Sequence, residues 1–277
     1  MITNTINNFK LDGKIAVITG GAGFLGEKHA EAILEGGGIP VLVDINESAA
    51  KKKAEMLSKK YDSEVHWFIT DITKKESIIN LNDSIISEVG YVDILINNAA
   101  NDPKVDAGKN PGWSRFENFP EENWDLDFAV GLKGAFFCCQ VIGQEMAKRK
   151  QGVILNISSD LGIIAPDQSI YSINGLSQDL QPVKPVTYSV VKHGLIGLTK
   201  YLATYWARDG VRVNSLCPGG IYNKQPESFT EKVERLIPMG RMANADEYKS
   251  AVIFMVSDAS TYMTGSTIIV DGGRTCW

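Results

Sequence analysis

The sequence predicts a single α/β domain: a doubly wound parallel sheet of about seven strands with helices on both faces. From residue 14 to about residue 157, short apolar runs alternate with longer amphipathic stretches, a pattern typical of strands joined by crossover helices. The 277 residues, 44% of them hydrophobic, are enough for one large core. No internal repeat or linker-like change of composition divides them, so we expect one domain over residues 1–277.

The short apolar runs predict the strands. In chain order they are Lys14–Thr19, Ile39–Asp44, Glu64–Ile69, Val92–Ile96, Gly152–Ile157, Val211–Leu216 and Ser266–Val270. Helices are predicted where apolar residues recur at helical spacing, at Glu47–Lys60, Lys74–Glu88 and about Pro185–Arg208. In the second of these the recurring residues are Ile79, Leu81, Ile85 and Ile86, which indicates core contacts rather than contacts with a ligand.

Two stretches fit this alternation poorly, Asn101–Pro120 and Ile163–Pro185. Loops of this length inside a compact domain usually carry function or move, although an ordinary surface excursion is the alternative. We therefore expect insertions beside a substrate site near residues 101–120 and 163–185.

Composition argues against nucleic acid, membranes and metals as partners. The formal net charge is −5, and no long run of Lys or Arg provides the electrostatic footprint that nucleic-acid binding needs. The polar N-terminus, Met1–Lys10, lacks the pattern of a secretion signal, and no apolar run approaches the roughly 20 residues of a membrane span. We expect a cytoplasmic protein. No metal-ligand spacing occurs among Cys138, Cys139, Cys217, Cys276, His29, His66 and His193.

Residues 14–26 read KIAVITGGAGFLG, an apolar strand that runs directly into a glycine-rich turn and then a helix. Glycine lets the backbone turn tightly, and it lets the amides at a helix N-terminus approach a pyrophosphate that the helix dipole attracts. A glycine cluster alone is weak evidence, but its place at the start of a βαβ unit predicts a dinucleotide site. The candidate contacts are Gly20, Gly23, Phe24, Leu25 and Gly26.

The second predicted strand ends at Asp44, 18 residues after Gly26. A carboxylate here accepts hydrogen bonds from the adenosine ribose hydroxyls and repels a 2′-phosphate. No Arg or Lys adjoins Asp44 to receive such a phosphate, since the next basic residues begin at Lys51. Simple capping of the following helix is the alternative, but the combined spacing favours NAD as the cofactor.

Further motifs follow in a fixed order. They are Asp71-Ile72 after the third strand, Asn97-Asn98-Ala99-Ala100 after the fourth, Asn156-Ile157-Ser158-Ser159 after the fifth, and then Tyr188-Ser-Val-Val-Lys192, Pro218-Gly219 and Val270-Asp271-Gly272-Gly273. With the glycine turn, this succession from Lys14 to Gly273 resembles the short-chain dehydrogenase/reductase family. The resemblance implies a single-domain Rossmann fold and an oxidoreductase that uses a nicotinamide cofactor.

By that resemblance, Asp71 and Ile72 contact the adenine, Asn97 supports the sheet and the cofactor, and the segment from Pro218 to Ile221 lines the nicotinamide pocket. Without it, Asn97-Asn98 is only a turn signal and Pro218-Gly219 only a loop. The resemblance adds these residues to the cofactor site: Asp71, Ile72, Asn98, Ala99, Ala100, Tyr188, Lys192, Pro218, Gly219 and Ile221.

Three positions depart from the family pattern. Phe24 stands where the shorter members usually carry glycine, which resembles the longer branch that modifies sugar nucleotides. Ala100 replaces the final glycine of the usual Asn-Asn-Ala-Gly signature. Gly131, within Val130-Gly131-Leu132-Lys133-Gly134, occupies the place of the family's catalytic Asn. If the protein turns over, a water or a polar group from the Ile163–Pro185 insert must take over that role.

Tyr188 and Lys192 are four residues apart on a predicted helix and therefore point to one face. A tyrosine ordinarily titrates at about pH 10, and a neighbouring ammonium favours its phenolate, so Tyr188 suits a general base toward an alcohol or a general acid in reduction. Ser159 would hydrogen-bond the reacting oxygen, while the cofactor carries the hydride. By the resemblance, Lys192 also holds the nicotinamide ribose.

Tyr171 is the other candidate for the catalytic tyrosine, but Gly175 follows it four residues later, where a lysine is needed.

Ser159 and Tyr188 are 29 residues apart, so the insert between them lies beside the reacting carbon. The insert is rich in polar groups that suit a hydroxylated ligand: Gln168, Ser169, Ser172, Asn174, Ser177, Gln178, Asp179 and Gln181. The earlier loop offers side chains for an anionic group or a sugar face: Lys104, Lys109, Trp113 and Arg115. Ordinary solvation of exposed loops is the alternative. The insert and the segment around Gly131 resemble oxidoreductases of bacterial surface-sugar and flagellin-glycan pathways and, more distantly, gluconate and polyol dehydrogenases.

We therefore expect an NAD-dependent dehydrogenase that acts on a secondary alcohol of a sugar, amino sugar or sugar phosphate. Reduction of a 3-oxoacyl thioester is the alternative among enzymes. A non-catalytic NAD-binding sensor or scaffold is the alternative of another class; Gly131 favours it, and the intact Ser159, Tyr188 and Lys192 disfavour it. The amphipathic stretches 126–149 and 186–206 suggest a helix-on-helix dimer face in which Cys138 and Cys139 pack, and the family commonly forms tetramers, so a homo-oligomer is expected.

Overall fold

Seven parallel strands form one sheet in the order β3-β2-β1-β4-β5-β6-β7. The computed structural model describes residues 4–101, 103 and 111–277. The strands are β1 Ile15–Thr19, β2 Ile39–Asp44, β3 His66–Ile69, β4 Ile94–Asn97, β5 Gly152–Ile157, β6 Val211–Pro218 and β7 Thr267–Val270. Each overlaps a predicted apolar run, and the predicted doubly wound parallel sheet is confirmed.

Helices cover both faces of the sheet. They are α1 Phe24–Glu35, α2 Glu47–Tyr61, α3 Lys75–Glu88, α4 Glu121–Arg149, α5 Val186–Trp206, α6 Glu227–Glu234 and α7 Lys249–Val256. Helix α4 contains two wider turns of π type, at Ala129–Gly134 and Cys139–Gly143. Helix α5 begins directly after Pro185, which lacks the amide hydrogen that an interior helix position needs.

Alternate residues along each strand point to opposite faces and build two cores. On one face, Val17 and Leu95 pack with buried side chains of α3, α4 and α5. On the other face, Ile18 and Leu42 pack with α1, α2 and α7. Because both faces are covered, the strands read in the sequence as nearly continuous apolar runs.

The buried stripe of α3 differs from the predicted one. Ile78, Leu81 and Ile85 are buried, whereas Ile79 and Ile86, which the sequence pattern places in the core, are only half-buried. The prediction is wrong at those two positions because the helix faces the sheet with residues i, i+3 and i+7.

Helix α4 is long and apolar enough to cross a membrane by length and composition alone. The expectation that no stretch approaches this length is wrong for α4. Its apolar side includes Cys138 and Cys139, which are buried in the core against the sheet. These cysteines therefore pack inside the domain and not at an external helix face as predicted, and burial raises the pKa of both thiols.

The carboxyl ends of the parallel strands meet at one edge of the sheet. Thr19 ends β1 and Asn97 ends β4, and these neighbouring strands lie where the strand order reverses. In open α/β sheets this reversal point opens a crevice that binds ligands.

The insert Ile163–Pro185 is an ordered loop with two short 3-10 turns. The side-chain amide of Gln181 closes it through three hydrogen bonds to the backbone of Ile173 and Leu176. The guanidinium of Arg115, from the other insert, donates to the backbone of this loop. The two inserts thus support one another beside the carboxyl edge.

Candidate active site

A cleft of about 570 Å³ opens beside the carboxyl end of β1. Many of the predicted cofactor residues line it together: Gly20, Gly23, Phe24, Leu25, Asp44, Asp71, Ile72, Asn98, Ala99 and Ala100. They come from the ends of four separate strands and from the start of α1. The fold therefore brings together in one cleft residues that are spread over 80 positions of the sequence.

The glycine turn allows close approach of the backbone. Gly20 has a φ of +62°, which side chains of L-residues rarely adopt. A Cβ on the buried Gly26 would lie 2.2 Å from the Gly20 carbonyl oxygen. Helix α1 begins at Phe24, directly after Gly23, and no capping side chain of the described residues covers its first amides. This arrangement fits a pyrophosphate at the helix N-terminus.

Asn98 fastens the glycine turn to the end of β4. Its side-chain amide donates to the carbonyl oxygens of Thr19 at 3.0 Å and Gly20 at 3.2 Å. The Thr19 hydroxyl oxygen accepts from the amides of Asn98 and Ala99 at 3.1 Å. The imidazole of His29, on α1, is buried near Asn98, and burial lowers the pKa of His29 to about 4, so the imidazole is neutral. The sequence pattern does not predict His29, because a lone histidine in a helix carries no motif.

Asp44 ends β2 and does not cap the next helix. Its Oδ2 accepts from the Ala22 amide at 3.1 Å, and its Oδ1 accepts from the Asn46 amide at 3.1 Å. The capping residue of α2 is Asn46, whose side chain accepts from the Ala49 amide. Asp44 therefore braces the glycine turn while its carboxylate lines the cleft, and within the described residues no Lys or Arg lines that cleft.

Asp71 and Ile72 follow β3 and line the same cleft. The Asp71 carboxylate accepts from the Thr73 hydroxyl at 2.6 Å and pairs with Lys74 at 3.2 Å, and these contacts, led by the Thr73 hydroxyl, hold its pKa below the usual value. Ile72 packs on α4, where a Cβ on Gly134 would lie 2.7 Å from the Ile72 Cδ1. The small residue lets α4 approach the cleft closely.

Asn97 ties the central strands together. Its amide nitrogen donates to the Asn156 Oδ1 at 2.8 Å and to the Cys139 Sγ at 3.3 Å. The Asn156 amide donates in turn to the buried Thr199 hydroxyl of α5 at 2.8 Å. This chain of contacts joins β4, β5, α4 and α5 behind the site.

A second cavity, of about 280 Å³, holds Ser159 and Tyr188 together at the same edge. Ser159 lies two residues after β5, and Tyr188 lies in the first turn of α5. Gly219 and Ile221 also line this cavity, whereas Pro218 ends β6 and is buried. We call this space the reaction cavity.

Lys192 is buried one helical turn after Tyr188. Its Nζ donates to the Ile157 carbonyl at 2.9 Å and lies 5.6 Å from the centroid of the Tyr188 ring. Its carbonyl oxygen accepts from the Ser158 hydroxyl at 2.8 Å. These contacts fasten α5 to the end of β5 and so fix Tyr188 relative to Ser159.

A second ammonium group stands over the same tyrosine. The Nζ of Lys184, at the end of the insert, lies 3.7 Å from the centroid of the Tyr188 ring, within the range of a cation–π contact. No motif in the sequence marks Lys184, because its position depends on how the insert folds back over α5. Tyr171, which the spacing rejects as the base, also lines the reaction cavity and packs on Phe229 with 5.6 Å between ring centroids.

Ser159 has a carboxylate as its direct neighbour. The Ser159 hydroxyl donates to the Asp160 Oδ1 at 2.7 Å, and its Oγ accepts from the Leu161 amide at 3.2 Å. The Leu161 amide also donates to the Asp160 Oδ1, at 2.8 Å. Burial raises the pKa of Asp160, although the hydrogen bonds that its carboxylate accepts from Ser159 and Leu161 and the charge of Arg274 act in the opposite direction. Asp160 and Arg274 both line the reaction cavity, and neither belongs to a motif that the sequence pattern identifies.

Gly131 lies where α4 packs against α5. A Cβ on Gly131 would lie 2.6 Å from the Cγ1 of Val191, the buried neighbour of Lys192. Val191 thus fills the space beside Gly131, which argues against a water in place of the missing Asn side chain. The other expectation, a polar group from the insert, agrees with the position of Lys184 over the Tyr188 ring.

Several polar side chains of the two inserts hold the loops in place. The Gln168 side chain accepts from the Lys184 amide at 2.8 Å, and Gln181 closes the loop as described above. Trp113 and Arg115 do not line the reaction cavity, so their predicted contact with substrate finds no support. Predicted contacts from the other two residues of that loop, Lys104 and Lys109, lie outside the described residues.

Comparison with known proteins gives one family match over most of the chain. A protein-family model described as enoyl-(acyl carrier protein) reductase matches residues 21–275. The D-threitol dehydrogenase of Mycolicibacterium smegmatis is 31% identical over 274 residues, covering 97% of this chain and 95% of that protein. The NAD-dependent glycerol dehydrogenase of Listeria innocua is 32% identical over 273 residues, covering 97% and 96%.

A solved structure has a similar fold over nearly the whole chain. The crystal structure of a gluconate 5-dehydrogenase from Burkholderia cenocepacia, in complex with NADP and tartrate, superposes with a TM-score of 0.85. It is 27% identical and covers 99% of this chain and 100% of its own. Of these three relatives, one is named for NAD and one was crystallised with NADP, and their names refer to polyols or a sugar acid.

Proposed function

Because the chain belongs to the short-chain dehydrogenase/reductase family, we propose that it transfers a hydride between NAD(H) and a secondary alcohol or ketone of a hydroxylated, sugar-derived substrate. The family accounts for a nicotinamide cofactor and for dehydrogenase chemistry on CH–OH groups. The observation that carries the proposal is the presence of Ser159 and Tyr188 in one cavity, with the Lys192 ammonium 5.6 Å from the tyrosine ring centroid. Relatives named for threitol, glycerol and gluconate support the substrate class.

The residues of the cleft fit a dinucleotide. The turn at Gly20 suits the pyrophosphate, Asp44 the adenosine ribose, and Asp71 with Ile72 the adenine. The Asp44 carboxylate supports NAD, because it would repel the 2′-phosphate of NADP and no basic residue among those described lines the cleft. When bound, the nicotinamide supplies hydride chemistry that no side chain can perform.

The chain's own groups handle the proton. In alcohol oxidation Tyr188 removes the hydroxyl proton as a general base, and in ketone reduction it returns that proton as a general acid. The ammonium groups of Lys192 and Lys184 stabilise the phenolate by their charge. Ser159 hydrogen-bonds the reacting oxygen once its hydroxyl turns away from Asp160. Lys192, tied to the Ile157 carbonyl, remains buried beside these groups.

The test is a panel of threitol, glycerol, gluconate, sugar phosphates and a 3-oxoacyl thioester with NAD(H), read as absorbance at the nicotinamide band. On the best substrate, Tyr188→Phe should bind the cofactor like the wild type and lose turnover by roughly 10²–10⁴-fold, because it removes only the transferable proton. Tyr171→Phe is the matched control from the same cavity and should keep its kcat.

Each outcome has a clear meaning. Turnover near the wild-type level in Tyr188→Phe would refute the catalytic assignment. A preference for the 3-oxoacyl thioester would mean that the substrate is an acyl thioester and not a sugar derivative. Tight cofactor binding with no turnover on any panel member would favour a sensor or scaffold.

A further inference from the structure

Arg274 lies in the wall of the reaction cavity, together with Ser159, Asp160 and Tyr188. It is half-buried and directly follows the last of the ordered sequence motifs, Val270-Asp271-Gly272-Gly273. The cavity, of about 280 Å³, is small for a ligand site, so a molecule whose alcohol reaches Tyr188 also contacts the other walls. The proton chemistry proposed above gives Arg274 no role.

Two glycines turn the chain sharply between β7 and Arg274. Gly272 and Gly273 have φ values of +65° and +90°, which side chains of L-residues rarely adopt. A Cβ on Gly273 would lie 2.9 Å from the Cγ of Pro238, so the turn packs closely on the loop after α6. The path of the backbone therefore brings Arg274 to the reaction cavity.

Hydrogen bonds on both sides of Arg274 hold its backbone in place. The Asp271 carboxylate accepts from the Gly273 amide at 2.9 Å and from the Thr275 amide at 2.7 Å. The Arg274 amide donates to the Asp271 carbonyl oxygen at 3.2 Å. The indole of Trp277 donates to a backbone carbonyl of the loop after α6 at 3.1 Å. A side chain on a backbone fixed in this way is suited to hold a ligand in one orientation.

The charge of Arg274 reaches two carboxylates that line the same cavity, those of Asp160 and Asp167. Asp160 accepts from the Ser159 hydroxyl at 2.7 Å, and Asp167 accepts from the Ser169 amide at 2.9 Å. Burial raises the pKa of Asp160, and hydrogen bonds from Ser169 lower that of Asp167; in both cases the charge of Arg274 favours the ionised form. The cavity thus combines a guanidinium donor with carboxylate acceptors.

This combination suits a neutral hydroxyl group. A guanidinium carries five N–H donors, and even a bidentate pairing with one carboxylate uses only two of them. Arg274 therefore has donors for a ligand in the cavity. An anionic group there would meet the charges of Asp160 and Asp167. A hydroxyl fits both kinds of neighbour, because its oxygen accepts from the guanidinium and its proton is donated to a carboxylate.

We propose that Arg274 is a specificity-determining residue, whose guanidinium donates hydrogen bonds to a hydroxyl oxygen on the carbon next to the one that reacts at Tyr188. The reacting oxygen itself is bound by Ser159 and Tyr188, so a contact to the neighbouring hydroxyl also orients the reacting carbon. This inference rests on the proposed function and deepens it: the preferred substrate is a vicinal diol, and an isolated secondary alcohol is a poor one.

Three probes with the same carbon skeleton test the neighbouring hydroxyl: 2-propanol, 1,2-propanediol and glycerol. Each has a secondary alcohol, and the adjacent carbons carry no, one and two hydroxyl groups. With NAD, kcat/KM for formation of the ketone should rise along this series in the wild type. In Arg274→Gln the ratio of kcat/KM for glycerol to that for 2-propanol should fall by about tenfold or more, as expected when a hydrogen bond from a charged group is lost.

The ratio separates the proposed contact from an effect of the lost charge on Asp160. Asp160 acts through Ser159 on the reacting alcohol, which all three probes share, so its contribution cancels in the ratio. Arg274→Lys keeps the charge and loses the planar fork, so its ratio should lie between those of Arg274→Gln and the wild type. Arg235→Gln is the control, since this exposed arginine after α6 does not line the reaction cavity and its ratio should equal that of the wild type. Melting temperature and NAD binding confirm that each variant is folded.

Failure of this inference is distinct from failure of the proposed function. If 2-propanol reacts as efficiently as glycerol, or if Arg274→Gln slows all three probes equally, the contact is refuted and the dehydrogenase stands. If 2-propanol or all three probes are not oxidised, calorimetric titration of threitol into the NADH complex decides. Binding that is stronger in the wild type than in Arg274→Gln supports the contact, and equal or absent binding overturns it.

Discussion

The Ser159 hydroxyl donates its only proton to Asp160, across 2.7 Å between Oγ and Oδ1, inside the reaction cavity. While Asp160 is ionised, this hydrogen bond competes with donation from Ser159 to the reacting oxygen. Protonation of Asp160 weakens the acceptor and releases the serine proton. Because burial raises the pKa of Asp160, the change occurs above the ordinary carboxyl value of 3.8.

Asp160→Asn should therefore change the pH dependence of ketone reduction. In the wild type we expect kcat/KM to rise as pH falls through the raised pKa of Asp160, and in the variant we expect this acid limb to disappear. Asp167→Asn is the control: Asp167 lines the same cavity, but hydrogen bonds from Ser169 lower its pKa, so its replacement should leave the limb in place. An unchanged acid limb in Asp160→Asn would argue against the coupling.

The same carboxyl should make folding stability depend on pH. Its folded pKa is raised above the unfolded value, so the folded state binds this proton more tightly. The stability contribution is fully present below the unfolded pKa and is lost as pH rises through the folded pKa. As the pH falls from 8 through the raised pKa toward the ordinary carboxyl value of 3.8, the melting temperature of the wild type should therefore rise relative to that of Asp160→Asn. A constant difference between the two melting curves would contradict this.

Asp44 should set the choice of cofactor. We expect NAD to bind at least tenfold more tightly than NADP, about 1.4 kcal/mol, because the carboxylate at the cleft repels a 2′-phosphate. Asp44→Ala should reduce this preference. Asp44→Asn is the sharper comparison, since it keeps an acceptor oxygen for the Ala22 or Asn46 amide and removes only the charge.

Calorimetric titration with NAD and NADP measures both affinities for each variant. Ile45, which lines the cleft and is 70% exposed, offers the reverse change: Asp44→Ala/Ile45→Arg should favour NADP, because an arginine can pair with the phosphate. Equal affinities of the wild-type protein for the two cofactors would exclude a role of Asp44 in this choice.

The outer face formed by α4 and α5 should join two copies of the chain. Phe136, Tyr201 and Tyr205 are exposed there, the two tyrosine rings stack at 5.9 Å, and a groove of about 860 Å³ runs between the helices. Exposed apolar patches of this kind mark association surfaces. By light scattering, Tyr201→Asp should lower the molar mass of the particle. Tyr262→Asp, at a fully exposed tyrosine elsewhere, should not.

The strands and the residues that meet in the cleft beside β1 were predictable because their signals are local. Buried parallel strands read as short apolar runs, and the turn at Gly20 and the carboxylate at Asp44 lie at fixed distances from strand ends. Their convergence follows from the topology, since all carboxyl ends of a parallel sheet meet at one edge. The family assignment, which rests on the order of these motifs, is confirmed by the matching relatives.

The residues that the sequence does not predict act through tertiary contacts. Lys184 reaches the Tyr188 ring only because the insert folds back over α5, and no spacing rule encodes that path. Asp160 adjoins a motif, but its importance depends on the burial that raises its pKa. Helix periodicity likewise cannot show which neighbour fills the space at Gly131, which depends on the distance between α4 and α5.

Gly131→Asn should destabilise the protein. Helix propensity alone predicts a gain of up to about 1 kcal/mol for replacing a helical glycine. The structure reverses that sign, because the new Cβ would lie 2.6 Å from the Cγ1 of Val191, a stiff, branched side chain in a buried contact. Overpacking of this kind costs about 1–3 kcal/mol, so the free energy of unfolding measured in urea should fall.

Val191→Ala should rescue the fold of Gly131→Asn, since it removes the methyl group that the new side chain meets. The two substitutions are in contact, so their effects on stability should be non-additive, and a double-mutant cycle measures the coupling. Gly131→Ala is the control for size, because it introduces the Cβ without an amide.

The folded double variant, Gly131→Asn/Val191→Ala, then allows a test of whether the missing Asn side chain matters for turnover. If Lys184 and Lys192 suffice for the proton chemistry at Tyr188, its turnover on the best substrate should stay within about tenfold of the Val191→Ala variant, about 1.4 kcal/mol in activation free energy. A gain of several orders of magnitude would mean that the natural glycine cripples the enzyme, and it would favour a sensor or scaffold over a dehydrogenase.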